Sequence, residues 1–328
     1  MNFRTQVELP VKQTEIIHSS KLMLLGSCFA ENIGNLLQEN KFRCDVNPFG
    51  VLYNPMSISK ALQQLLEKKT YKESDLFCFN KVWYSWMHHG TFSSLSSEEC
   101  LNLINSRLKA AANALSSLDW LIITWGTAYV YIHQERKEVV GNCHKLPERT
   151  FQRIRLNVSE IVEEWRELLY KMQELNPQLK VLFTISPIRH IKDGLHGNQL
   201  SKATLLLAVE ELCQTCSDCF YFPSYEIMMD ELRDYRFYQD DMLHPSQVAI
   251  QYLWECFSNC YFKPETRKVL HEWGGIRRGL EHRPVYPDSE SYRSFISQIV
   301  LKITEMKEKL PYLEVQKELE LCESRLKI

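Results

Sequence analysis

Four short polar segments hold residue types from which covalent chemistry can be built: Gly26-Ser27-Cys28-Phe29-Ala30, Asn47–Gly50, Trp125-Gly126-Thr127 and Asp241-Met242-Leu243-His244-Pro245. They supply a thiol in Cys28, a hydroxyl in Ser27, an imidazole in His244 and a carboxylate three residues before it in Asp241, with Asp240 adjacent. Cys28 stands where a helix is expected to begin. A thiol there gains acidity from unpaired N–H groups and the helix dipole. Ser27 would instead need a base to remove its proton. A buried structural thiol is the usual fate of a free cysteine, and that is the competing reading of Cys28.

Other polar residues could serve the same place. Asn142-Cys143-His144-Lys145 follows a predicted strand and suits a carboxylate or phosphate, with Lys145 as a point charge. A loop held by asparagine hydrogen bonds is the plainer alternative. Arg189 and His190 follow another strand end, either reaching this crevice or forming a solvated loop pair. Cys213-x-x-Cys216-x-x-Cys219 suggests an iron–sulfur or zinc site, but Cys256 and Cys260 fall on a different predicted helix, so a fourth ligand is missing. Small core-facing residues explain that spacing more simply, and no metal or other cofactor is expected. His88-His89 likewise reads as structural.

The elements that must position these residues follow from apolar patterning. Short apolar runs at Leu22–Leu25, Leu121–Thr124, Val181–Ile185 and Phe220–Phe222 predict buried strands. Helical spacing is found after Phe29 and over Ile58–Leu66, Ser97–Leu115, Val158–Leu175, Leu200–Cys213 and Ala249–Cys260, with Ser96 as a predicted N-cap and Asn176-Pro177 as a stop. Tyr129–Ile132 and Glu138–Val140 predict a hairpin. Leu76–Met87 reads as strand or extended loop, and Asn47–Pro55 as a structured loop. Strands alternating with helices predict an α/β sandwich with a mostly parallel sheet, and ligands of open α/β sheets bind where strands end. After Lys263, Trp273–Gly279 reads as a loop. Ser291–Ile328 reads as helical, broken near Pro311, and packed on the main domain or on a second copy as a homo-oligomer.

Composition narrows the function classes. The chain has 328 residues, 45% hydrophobic and 24% charged, which is the balance of a soluble globular protein. Its 39 Lys and Arg against 41 Asp and Glu give a net charge of −2, so a generally basic nucleic-acid binder is excluded. Eleven cysteines are an odd and scattered set, unlike a secreted disulfide framework. With no signal-like N-terminal run and no apolar stretch of membrane-spanning length, a cytoplasmic protein with reduced thiols and no membrane partner is expected.

Leu25–Gly34 (LGSCFAENIG) resembles the signature of the GSCFA-domain family, named for that pentapeptide. Asn47–Pro55 (NPFGVLYNP), Asn142–Lys145 (NCHK), Ser186–His190 (SPIRH), Tyr221–Asp230 (YFPSYEIMMD) and Asp241–Pro245 (DMLHP) are similar to it as well, so the resemblance runs over roughly residues 20 to 262. That family is related to the SGNH, or GDSL-like, hydrolases, which are three-layer α/β/α enzymes, mostly esterases, O-acyl transferases or deacylases. The resemblance implies an SGNH-like three-layer α/β/α domain over residues 1–263 and a C-terminal helical extension over 264–328.

It also implies roles. In GDSL-like enzymes the third residue of a G-x-S turn is the nucleophile. That register puts Cys28 in the nucleophile place and Ser27 in the aspartate place, whereas a shift of one residue would make Ser27 the nucleophile. The register favours Cys28. His244 would be general base, oriented by Asp241. Gly50 would donate to the oxyanion. The asparagine expected in a third block is replaced by Ala128, with Thr127 or Asn142 as substitute donors, and losing one such donor commonly costs about 3 kcal/mol. Asn47, His144, Lys145, Arg189 and His190 would bind substrate. Two functions follow: hydrolysis or transfer of an acyl group from a small-molecule or glycan ester, or ligand binding on an SGNH fold that has lost turnover.

Overall fold

The structure, a computed structural model, describes residues 4–10 and 15–327. Its strands, numbered along the chain, are β1 (Lys21–Gly26), β2 (Arg43–Val46), β3 (Leu76–Phe79), β4 (Val82–Ser85), β5 (Trp120–Trp125), β6 (Tyr129–His133), β7 (Glu138–Val140), β8 (Phe151–Arg155), β9 (Lys180–Ile185) and β10 (Cys219–Phe222). The helices are α1 (Cys28–Glu39), α2 (Pro55–Leu66), α3 (Ser97–Leu115), α4 (Val158–Leu175), α5 (Gly194–Thr215), α6 (Ser224–Glu226), α7 (Gln247–Tyr261), α8 (Pro264–Glu281), α9 (Glu290–Lys309) and α10 (Gln316–Leu326).

The apolar runs become a five-stranded sheet in the order β10-β9-β5-β1-β2. β1 pairs with β5, β5 with β9, and β9 with β10, all parallel. Strands buried on both faces need apolar residues at consecutive positions, which is what Leu22–Leu25 and Leu121–Ile123 supply. Met23, Leu25, Leu121, Ile123, Val181 and Phe183 join one core with Ile58 and Leu62 of α2, Ile104 and Leu108 of α3, Ile161 and Trp165 of α4, and Leu205 and Val209 of α5. Their alternates Leu24, Ile122 and Leu182 face Phe29 and Ile33 of α1 and Phe257 of α7. The architecture is therefore a three-layer α/β/α sandwich. Truncating a leucine of this core to alanine is expected to cost about 2–5 kcal/mol.

Helix starts are specified locally. Ser96 accepts from Glu99 N–H, and Asn157 and Glu160 form a reciprocal capping box. Asn54 accepts from Ser57 N–H with Pro55 in the first turn, so α2 begins inside the segment read as loop. Edge strand β2 escaped the apolar pattern because Arg43-Cys44-Asp45-Val46 is polar and partly exposed. Two antiparallel additions sit outside the main sheet: the β3–β4 hairpin, and a second sheet in the order β7-β6-β8 that contains the predicted β6–β7 hairpin.

Chain direction decides where a ligand can sit. From β1 the chain goes to β2 on one side, then returns to β5 on the other. A crevice opens beyond the carboxyl ends of strands at such a reversal.

A second compact unit gathers residues 15–20, 36–43 and 261–327. Its core holds Trp273, Ile276 and Leu280 of α8, Ile296, Ile299 and Ile303 of α9, and Cys322 of α10. Trp273–Gly279 is helix rather than loop. Trp273, Ile276 and Leu280 recur at helical spacing and bury one face, which outweighs the three glycines among them. Among the described residues no helix is long and apolar enough to cross a membrane. All eleven cysteines are free thiols.

Candidate active site

Gly26 ends β1 with φ of 151°, and a Cβ there would lie 2.3 Å from Thr124 O, so only glycine lets β1 turn this tightly beside β5. Ser27 is 0% exposed and caps α1: its Oγ accepts from Phe29 N–H at 3.3 Å, and its carbonyl accepts from Glu31 N–H. Cys28, one residue on, is half-buried and lines a cavity of about 620 Å³. Desolvation pushes its thiol pKa up, while its own and Phe29's N–H groups and the Lys202 charge pull the other way. The expected gain in acidity from the helix start is thus outweighed by burial.

His244 lines the same cavity. Its Nδ1 lies 2.5 Å from Asp241 Oδ2, and Asp241 Oδ1 accepts from the N–H groups of Leu243 and His244 at 2.9 and 3.0 Å. These bonds hold the Asp241 carboxyl down to about 2, so the acidic partner is Asp241 and not its neighbour Asp240. Arg189 braces the loop: its guanidinium donates to Met242 O and lies 4.4 Å from the centre of the Tyr238 ring. A bonded imidazole and carboxylate that share a cavity with a thiol are the groups that can take, hold and return a proton.

The expected oxyanion donors are mostly committed elsewhere. Gly50 N–H donates to Asn47 O at 2.7 Å, and a Cβ on Gly50 would meet His89, so this glycine serves a turn away from the cavity. Asn47, expected to bind substrate, instead accepts from Gly26 N–H through Oδ1 at 2.9 Å. Thr127 lines the cavity, but its N–H donates to Tyr53 O and its hydroxyl bonds Ser201 and Tyr129 N–H. Asn142 also lines the cavity; its Oδ1 accepts from His144 N–H, which leaves its amide N–H groups as the donors it can offer. His190 contributes a buried Nε2 that has no partner among the described residues. Burial lowers its pKa to about 3, so this imidazole is neutral at pH 7.

His144, expected at the substrate, points away: its Nε2 bonds Ser85 O at 2.8 Å and its ring packs on Tyr84. Lys145 and Arg189 do line the cavity. So does Cys143, whose thiol is pushed up to about 11 by burial. A hollow of about 710 Å³ beside Arg4 and Arg236 has neither cysteine nor histidine among its described lining residues.

Three α5 residues escaped the sequence reading. Asn198 Oδ1 accepts from His190 N–H at 2.9 Å, Ser201 Oγ accepts from Ala128 N–H at 2.7 Å, and Lys202 Nζ donates to the carbonyls of Gly126 and Ser186 at 2.7 Å each. All three are buried on the face that continues into Leu205, Val209 and Leu212. The signal was polar residues at spacings of three and one on an otherwise apolar face.

The sequence matches the GSCFA family over residues 21–257 and the GSCFA domain protein, C-terminal domain, over residues 273–328. The chain belongs to the GSCFA family. The name-giving pentapeptide of this GSCFA protein is thus the β1–α1 turn just described, with its serine as cap and its cysteine on the cavity wall. No curated protein matches the sequence. Among solved structures, a Clostridium thermocellum family 3 carbohydrate esterase aligns over 77% of this chain and 98% of its own, at 9% identity and a TM-score of 0.35. A likeness that low carries no argument about the fold or activity of the GSCFA chain.

Proposed function

We propose that this protein cleaves or transfers acyl groups held in ester linkage, with Cys28 as nucleophile, His244 as general base and Asp241 as the group that orients it. The observation that carries the reading is that Cys28 and an Asp241-bonded His244 line one cavity beyond the carboxyl ends of the sheet strands. In this scheme His244 takes the Cys28 proton and the thiolate adds to the ester carbonyl. The C–O bond then breaks, and the alcohol leaves with the proton from the imidazolium. Water, deprotonated by His244, cleaves the thioester to the acid and regenerates the thiol. A second alcohol in place of water gives transfer. The buried, capping Ser27 supports Cys28 over its neighbour. His190 Nε2 and the Asn142 amide are the donors available to the oxyanion.

The cavity wall favours a small-molecule or glycan ester. Tyr53, Tyr129, Tyr131 and Phe151 offer flat apolar faces. Arg153 pairs with Asp193 and Lys192 with Glu148, which leaves Lys145 and Arg189 as the lining cations that suit a substrate carrying an acidic group. The commitment of Gly50 N–H favours a second reading, a ligand-binding protein without turnover. A panel of short-chain p-nitrophenyl esters and acetylated sugars separates the two. Turnover abolished by Cys28→Ala and by His244→Ala supports the enzyme. Flat rates throughout, with sugar binding retained, support the binder.

A further inference from the structure

Lys202 is 1% exposed, and among the described residues no carboxylate pairs with it. Burying an ammonium without a counter-charge is expensive, and such groups are kept where they do something. Two of its three N–H groups donate at 2.7 Å to Gly126 O and Ser186 O, the residues that follow β5 and β9. The cation therefore lies directly under the floor of the crevice. Gly126 is where the site converges: a Cβ there would stand 3.1 Å from His190 Nε2 and 3.6 Å from Ser27 Cβ, one residue from Cys28. Lys202 interacts electrostatically with Cys28 at the start of α1 and with the neutral His190 after β9, and the Tyr225 ring of α6 has its centre 5.4 Å from Nζ.

We propose that Lys202 is a positioning residue for Cys28: a buried ammonium that clamps the two strand ends beneath the crevice and favours the thiolate above them. The inference rests on Cys28 being the reactive group. No proton passes through Lys202 in this scheme; the thiol proton goes to His244, and below about pH 7 Lys202 stays charged while the sulfur is negative. Burial lowers the Lys202 pKa to about 7 and raises that of Cys28, and each charge eases the other. Loss of the Cys28 proton thus tightens Lys202's hold on its own. The pair separates charge cheaply in a place where either charge alone would be costly.

The test is the pH dependence of iodoacetamide alkylation at Cys28, resolved by peptide mass spectrometry, in the wild-type chain, Lys202→Met and Lys202→Arg. Below about pH 7, where Lys202 carries its charge, Lys202→Met should slow Cys28 alkylation about tenfold, the equivalent of one pH unit in thiolate population. Lys202→Arg should restore most of it. A purely structural clamp would lower thermal stability in Lys202→Met and leave the alkylation rate of folded protein at about pH 6 unchanged, and that result overturns the proposal. If Lys202→Met does not fold, the same coupling is read from the other side. In protein with 13C-labelled lysine, the Lys202 titration should rise to higher pH in Cys28→Asp, which places a fixed negative charge beside it, and an unchanged titration overturns the proposal. Both measurements read the thiol and the amine directly. A chain that shows the coupling but hydrolyses no ester would defeat the enzymatic reading and leave this one standing.

Discussion

Asn198, Ser201 and Lys202 underlie the floor of the crevice, and Lys145, Arg189, Asp241 and His244 stand at its rim. The floor residues are at most 2% exposed, and each bonds the backbone of a crevice loop. Asp241 and His244 have side chains 43% and 42% exposed, and their bonds stay within one short loop. Buried polar atoms must be satisfied, so floor side chains set the loop geometry and fail expensively when removed. Rim side chains carry little of the fold. A polar residue at this site is therefore best judged by what else depends on its hydrogen bond.

That contrast can be broken by mutation. The largest effect should come from the rim: His244→Ala should reduce turnover by about 10²–10⁴-fold, with the thermal midpoint nearly unmoved because surface substitutions change stability by about 0.5 kcal/mol or less. Large unfolding in that variant would erase the distinction. At the floor, Ser201→Ala leaves Ala128 N–H buried without its partner and should cost about 1–3 kcal/mol, read by urea unfolding. A neutral result would mean that the loop repacks. Ser27→Ala removes a helix cap and should cost about 1 kcal/mol while keeping most turnover. Complete inactivity in a folded Ser27→Ala chain would move the nucleophile to Ser27. The smallest effect concerns acid. A carboxylate with a depressed pKa keeps its interactions above its unfolded value and loses them only as pH falls through the folded one. With Asp241 held to about 2, its charge should be almost unchanged between about pH 7 and pH 4. Carboxyl NMR titration with a midpoint near 4 would contradict the short bond to His244.

The rim was more legible in the sequence than the floor. Cys28, Asp241 and His244 carry reactive groups and stand in short motifs at strand or helix ends, so residue type and position both point to them. For Gly50 and Asn47 a motif match says nothing about which donor is already used; Gly50 N–H closes a local turn, and Asn47 Oδ1 ties down Gly26. Lys202 was invisible for another reason. A lysine on an amphipathic helix is ordinarily solvated, and only the tertiary placement of Gly126 O and Ser186 O shows that this one faces inward. The sheet read well from its apolar runs, while β2 and β8 did not, since their half-exposed residues lack such runs.

The central claim is that Cys28, served by His244, forms the covalent bond. It is tested most directly by incubating the protein with p-nitrophenyl acetate, quenching in acid and mapping the acetyl group by peptide mass spectrometry, with hydroxylamine lability distinguishing thioester from ester. The account predicts a thioester on Cys28 that forms faster than on Cys143 or any other thiol, is absent in Cys28→Ala and is strongly slowed in His244→Ala. An oxygen ester on Ser27, or acetylation of Cys28 no faster than that of the other cysteines, would contradict it.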